Sequence, residues 1–118
     1  MARDRRQSEE AGRMAEVLAL WSLRLKGWRI VGQRIKTPRG EIDLIARRGR
    51  VVAFVEVKWR ARAAELDFAI DEYRLRRVAA AAEAVAQRYA KPDDEQRIDV
   101  VLLAPGRWPR HMANALMS

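Results

Sequence analysis

Three carboxylates and one lysine stand inside two runs that otherwise have the composition of buried β-strand. The first run is Gly40-Glu41-Ile42-Asp43-Leu44-Ile45-Ala46, and the second is Phe54-Val55-Glu56-Val57-Lys58. Taking a charge out of water is costly unless it is paired or bound to a metal. Strands that carry Glu41, Asp43, Glu56 and Lys58 are therefore candidates for a working site. Carboxylates beside a lysine are the residue types that metal-assisted cleavage of a phosphodiester requires: oxygen ligands for Mg²⁺ or Mn²⁺, and a point charge for the reacting phosphate.

Strand geometry sharpens this reading. Side chains alternate, so Glu41 and Asp43 share one face of their strand, with Ile42, Leu44 and Ala46 opposite. Glu56 and Lys58 share a face, with Val55, Val57 and Trp59 opposite. Taking Arg48-Gly49 as a two-residue hairpin loop pairs Arg47 with Arg50. Glu41 then faces Glu56, and Asp43 becomes a diagonal neighbour of Glu56 at roughly 7–8 Å. Like charges so placed repel, and a divalent cation between them removes the repulsion. The plain alternative is that Val55-Glu56-Val57-Lys58-Trp59-Arg60 is a half-exposed strand, apolar inside and charged outside. Glu16 lies on the helix face of Gly12, Leu20 and Leu23 and is a further candidate ligand, or else an ordinary helix glutamate.

The elements that must position these groups follow from periodicity. A helix is expected from an N-cap at Ser8 to Lys26, closed by Gly27, with Met14, Val17, Leu18, Trp21 and Leu25 as its apolar face. Leu20 and Leu23 widen that arc. Three strands of an antiparallel meander follow: 28–36, 41–47 and 50–60, with turns at Pro38-Arg39-Gly40 and Arg48-Gly49. Residues 61–68 are a connection. A second helix runs from about Asp71 to Ala90 on the stripe Leu75, Val78, Ala79, Ala82, Val85, Ala86 and Tyr89, and Lys91-Pro92 stops it. Asp93-Asp94-Glu95 reads as a solvated link. Arg97–Ala104 is a strand buried on both faces, and the tail after Pro105-Gly106 forms a short strand or helix. The order α-β-β-β-α-β plus a tail predicts an α/β fold: a central mixed sheet of about four strands flanked by helices.

The 118 residues suit one domain, 1–118, with residues 1–7 flexible. The absence of cysteine excludes disulfides, zinc–cysteine sites and iron–sulfur clusters, and is compatible with a reducing cytoplasm. The N-terminus lacks the apolar stretch of a signal peptide, and no segment is apolar enough to span a membrane. A net charge of +8 suits a polyanionic partner, nucleic acid first. Arg39, Arg60, Arg74 and Arg77 are the candidate phosphate contacts, with Arg34 and Lys36 near the mouth of the site. Trp59 is assigned to the core, and His111 to a backbone hydrogen bond in the tail rather than to catalysis.

These motifs resemble a known family. Gly12, Ala15-Glu16, Gly27-Trp28, Gly40-Glu41-Ile42-Asp43, Phe54-Val55-Glu56-Val57-Lys58, Arg97-Ile98-Asp99 and His111-Met112-Ala113-Asn114 are similar to those of the YraN-like bacterial proteins. That family is in turn similar to archaeal Holliday-junction resolvases and to the restriction-endonuclease-like PD-(D/E)xK nucleases. The resemblance implies a restriction-endonuclease-like core and Mg²⁺- or Mn²⁺-dependent endonuclease action on structured or branched DNA, for which a homodimer would be suited. It implies Glu16, Asp43 and Glu56 as metal ligands and Lys58 as the catalytic lysine, with Glu41 in the same motif. The family usually carries a lysine at the start of the second helix, where this chain has Arg74. A nuclease-fold module that binds nucleic acid or a protein without cutting is the alternative function.

Overall fold

The computed structural model describes residues 2–68 and 70–116, with the side chains of residues 2–8, 67 and 68 outside the description. Period-two alternation interrupted by glycine-bearing turns builds three consecutive antiparallel strands. These are β1 (Arg29–Thr37), β2 (Gly40–Arg48) and β3 (Val51–Trp59). The chain continues through a 3₁₀ helix (Ala63–Phe68) and α2 (Glu72–Tyr89), then returns as β4 (Glu95–Leu103), parallel to β3. The tail adds β5 (Arg110–Met112), antiparallel to β4, so the sheet has five strands in the order β1-β2-β3-β4-β5 rather than four. The first helix, α1, spans Ala2–Leu25. It begins upstream of Ser8, so Ser8 is not its cap, and residues 2–7, expected to be flexible, belong to it.

The α/β reading therefore holds as a mixed sheet flanked by two helices. Parity along β3 separates the two layers. Ala53 and Val55 pack with Ala15, Ala19 and Leu23 of α1, whereas Val52 and Phe54 pack with Val78, Ala81, Ala82 and Val85 of α2. Asp71 caps α2, its Oδ1 accepting the Tyr73 N–H at 2.9 Å. The run Val100–Leu103 is buried on both faces, as its composition required.

The apolar face assigned to α1 is the outward one. Met14, Val17, Leu18, Trp21 and Leu25 are 48–80% exposed, while Ala15, Ala19 and Leu23 lie against the sheet. Helix α1 carries two apolar arcs, and the one with alanines lets its backbone come close to β3. Trp59 is partly buried against that same layer, as assigned.

Two polar clusters were misread from the sequence. Asp94, taken as part of a solvated link, bonds the Arg47 guanidinium and accepts the Lys91 N–H at 2.7 Å, while Arg47 also donates to the Gly49 carbonyl at 3.1 Å and so ties the hairpin tip to the turn after α2. His111 bonds a carboxylate and not the backbone. Its Nε2 lies 2.7 Å from Asp99 Oδ2, while Arg97 and the Asn114 N–H also donate to Asp99. Burial alone would raise the pKa of Asp99; these hydrogen bonds outweigh it and hold the carboxyl below its ordinary value. The clamp fastens β5 and the following turn to β4. His111→Ala is expected to lower stability by about 1–2 kcal/mol, read from the midpoint of urea unfolding. The depressed Asp99 pKa makes its own contribution present above roughly pH 4 and lost as pH falls below it.

Candidate functional site

The β2–β3 hairpin turns through Gly49-Arg50, one residue later than expected. Arg48 pairs with Val51 and Leu44 with Val55, and Gly49 takes φ +61° in the loop. The register thus moves by two residues. The register, continued one step past Leu44–Val55, sets Asp43 level with Glu56 instead of diagonal to it.

The regular ladder stops at Leu44–Val55 although both strands continue. One step further, the Val57 N–H donates to Asp43 Oδ2 at 2.8 Å, so a side-chain carboxylate replaces a backbone acceptor. On the other side of β2, Arg34 would face Asp43 but is omitted from the pairing between Gln33–Leu44 and Ile35–Ile42, and it has φ +48°. Alternation also breaks here. Ile42 packs under α2, whereas Leu44 and Ala46 pack under α1, so the three do not share the single face expected of them. Asp43 sits where β2 is loosened from both neighbours, at the head of a fork between β2 and β3.

This placement brings two carboxylates together with the lysine beside them. Burial raises the Asp43 pKa to about 7, helped by a hydrogen bond with Glu56 and by its charge; the Val57 N–H and Lys58 oppose the rise. Asp43 therefore retains its proton up to near neutrality. Glu56 is buried at 7% exposure. Lys58 is half-buried on the same face, and burial lowers its pKa, with Arg74 and Arg60 adding to the effect and Glu56 and Asp43 opposing it.

The remaining candidates surround this pair without joining it. Glu41 is exposed and, with Gly40, Glu56, Arg74, Arg77 and Val78, lines a cleft of about 240 Å³ under α2. Gly40 (φ +153°) lets the start of β2 pass close to α2, since a Cβ there would stand 3.1 Å from the Arg77 carbonyl oxygen. Arg74 Nε lies 3.7 Å from Glu56 Oε2. Glu16 is held by Arg34 at 2.9 Å, and that guanidinium also feels Glu41 and Asp43. Arg39 reaches the exposed Glu83 at 3.9 Å, and Arg60 turns back to the Trp59 carbonyl. Among the described residues no group of three acidic or histidine side chains is placed to hold one ion. The fork itself fits a cation by the chemistry of its donors. Two carboxyls that meet out of water, one of them Asp43 with its raised pKa, are an oxygen-only set suited to a hard divalent ion, which would replace the Asp43 proton.

Sequence reading missed the Arg34–Glu16 pair as a unit. Its only signal was a cation one strand away from the acidic run. The Arg74–Glu56 contact was equally hidden, because α2 and β3 meet through tertiary packing alone.

A family model described as "Uncharacterised protein family UPF0102" matches residues 15–103, a span that contains Glu16, Asp43, Glu56 and Lys58. The chain is 66% identical over 110 residues to the UPF0102 protein of Sphingopyxis alaskensis, covering 93% of this chain and 95% of the relative. It is 65% identical over 111 residues to the UPF0102 protein of Erythrobacter litoralis, covering 94% and 96%. With that of Parvibaculum lavamentivorans the identity is 50% over 105 residues, covering 88% and 79%. Among the described residues no helix is long and apolar enough to cross a membrane.

Proposed function

The chain belongs to the UPF0102 family, and we propose from its own carboxylate fork that it is a metal-dependent nuclease of restriction-endonuclease-like fold that hydrolyses structured or branched DNA. The observation that carries this is the hydrogen-bonded meeting of the Asp43 and Glu56 carboxyls, with Lys58 on the same face of β3 as Glu56. Asp43 and Glu56 would hold Mg²⁺ or Mn²⁺. Such a cation supplies neutralisation of phosphoryl charge and acidification of water. Asp43 keeps one oxygen on the Val57 N–H, which fixes the orientation of its carboxylate. Lys58 places a positive charge where negative charge grows as the water oxygen–phosphorus bond forms and a backbone phosphorus–oxygen bond breaks. Arg74 exchanges Glu56 for a phosphate once the carboxylate is otherwise neutralised, and Arg77 lines the same cleft. Glu41 stands as an outer acid on the rim of the cleft, and Glu16 reaches the site only if Arg34 releases it.

One observation favours the second reading, a nuclease-fold module that binds without cutting. Arginines, and not metal-ready space, neighbour two of the acids: Arg34 at Glu16 and Arg74 at Glu56. A cleavage screen with Mn²⁺ on linear, flapped and four-way DNA separates the two. Cutting of the branched forms that disappears in the double variant Asp43→Asn, Glu56→Gln supports the enzyme. No cutting, with DNA affinity that is metal-independent and unaffected by those substitutions, supports the module.

Binding itself makes a separate prediction. If about six phosphates are neutralised, the log of affinity falls with the log of salt concentration at a slope near −5. Arg77→Ala is expected to reduce that slope by about one unit, read by fluorescence anisotropy on labelled duplex.

A further inference from the structure

The outward face of α1 is the largest apolar feature that the site leaves unexplained. Met14, Leu18, Trp21 and Leu25 recur at spacings of four, three and four, the repeat of a two-helix seam. Ala11 extends it toward the N-terminus. Contiguous exposed apolar side chains of this size mark an interaction surface. Along one flank of the seam lie Glu10, Val17 and Arg24 at intervals of seven. The Arg24 guanidinium sits 5.2 Å from the Trp21 ring centre, so the cation borders the seam and does not extend away from it.

We propose that this face pairs with the same face of a second copy of the chain, α1 running antiparallel to α1 about a two-fold axis at the level of residue 16. The arrangement is self-complementary in size and in charge. Reversing the helix sets Met14 against Leu18 of the copy and the small Ala11 against the large Trp21. On the flank, offset from those layers by two residues, it brings Glu10 of each copy near Arg24 of the other and Val17 near its own counterpart. A parallel pairing would stack Trp21 on Trp21 and part Glu10 from Arg24 of the copy. Closure by a two-fold axis uses the whole stripe and leaves no open end. The cleft with Arg74 and Arg77 lies on the opposite layer of the sheet, so the basic surfaces of the two copies point apart and both clefts stay open. The pairing does not rest on the nuclease reading.

The test is sedimentation equilibrium of the full chain from about 1 to 100 µM, a range over which a moderate dimer shifts with concentration. Wild type is expected to dimerise. Leu18→Glu with Trp21→Glu is expected to be monomeric with unchanged circular dichroism and a thermal midpoint that no longer depends on concentration, since both side chains are half-exposed in one copy. Arg24→Glu should weaken the dimer about tenfold, because each changed pair occurs twice. Adding Glu10→Arg should restore it. The chain has no cysteine, so Val17→Cys should oxidise to a covalent dimer while Leu25→Cys does not. A wild-type monomer across the range, a dimer that survives the double glutamate variant, or preferential crosslinking through Leu25→Cys would overturn the proposal.

Discussion

Lys58→Met is expected to lower the rate of DNA cleavage by about 10²–10³-fold while preserving the rise in thermal midpoint that Mn²⁺ produces. Methionine keeps the length and apolar stem of lysine on β3 and removes only the charge. Asp43 and Glu56, the proposed ligands, keep their backbone positions, so metal binding and catalysis are read separately. Lys58→Arg should recover little, because a planar guanidinium cannot place its charge where a compact ammonium does. Wild-type activity should fall at alkaline pH, starting below the ordinary lysine range, because burial lowers the Lys58 pKa. Single-turnover cleavage of a four-way substrate between neutral and alkaline pH measures both effects. An unchanged rate in Lys58→Met, or loss of the Mn²⁺ shift, would remove lysine from its proposed role.

Asp43→Asn should have opposite effects on stability and on metal response. The folded pKa of Asp43 is about 7, against about 3.9 in an unfolded chain. Folding therefore takes up a proton between those values. Stability is full below about pH 4, declines as pH rises toward 7, and is flat above. Asparagine can still accept the Val57 N–H through its amide oxygen but has no charge to repel Glu56. In metal-free buffer at pH 8 the variant is expected to be more stable than wild type by on the order of 2 kcal/mol, read from urea unfolding. It should gain nothing from Mg²⁺ or Mn²⁺. In wild type, apparent metal affinity should rise about tenfold per pH unit up to roughly pH 7, since each bound ion displaces the Asp43 proton. A variant no more stable than wild type, or a pH-independent wild-type affinity, would mean that Asp43 does not carry this proton.

The strands and α2 were legible because their signals are local. Glycines at 40 and 49, Pro92, and alternation through Val51–Trp59 each fix an element within a few residues of its observed limits. The site was legible to the extent that Glu56 and Lys58 lie on one regular strand. What failed depended on distant partners. Whether Arg48-Gly49 or Gly49-Arg50 makes the turn shifts every cross-strand pair, and Arg47 finds a partner in Asp94, far along the chain. The change of face between Ile42 and Leu44 has no counterpart in the alternation of residue types. For α1, the bulky stripe gave the stronger periodic signal, yet Ala15 and Ala19 took the sheet because small residues permit the closer approach. Glu16 was readable as a candidate, but its capture by Arg34 was not.

At Val57 the backbone is fastened to its neighbour by a carboxylate in place of a peptide oxygen. A rung made of a titratable group is adjustable in a way that an amide rung is not. Whatever takes hold of those oxygens also changes the tension between two strands, so an event at the notch is transmitted directly into the spacing of the main chain on either side of it.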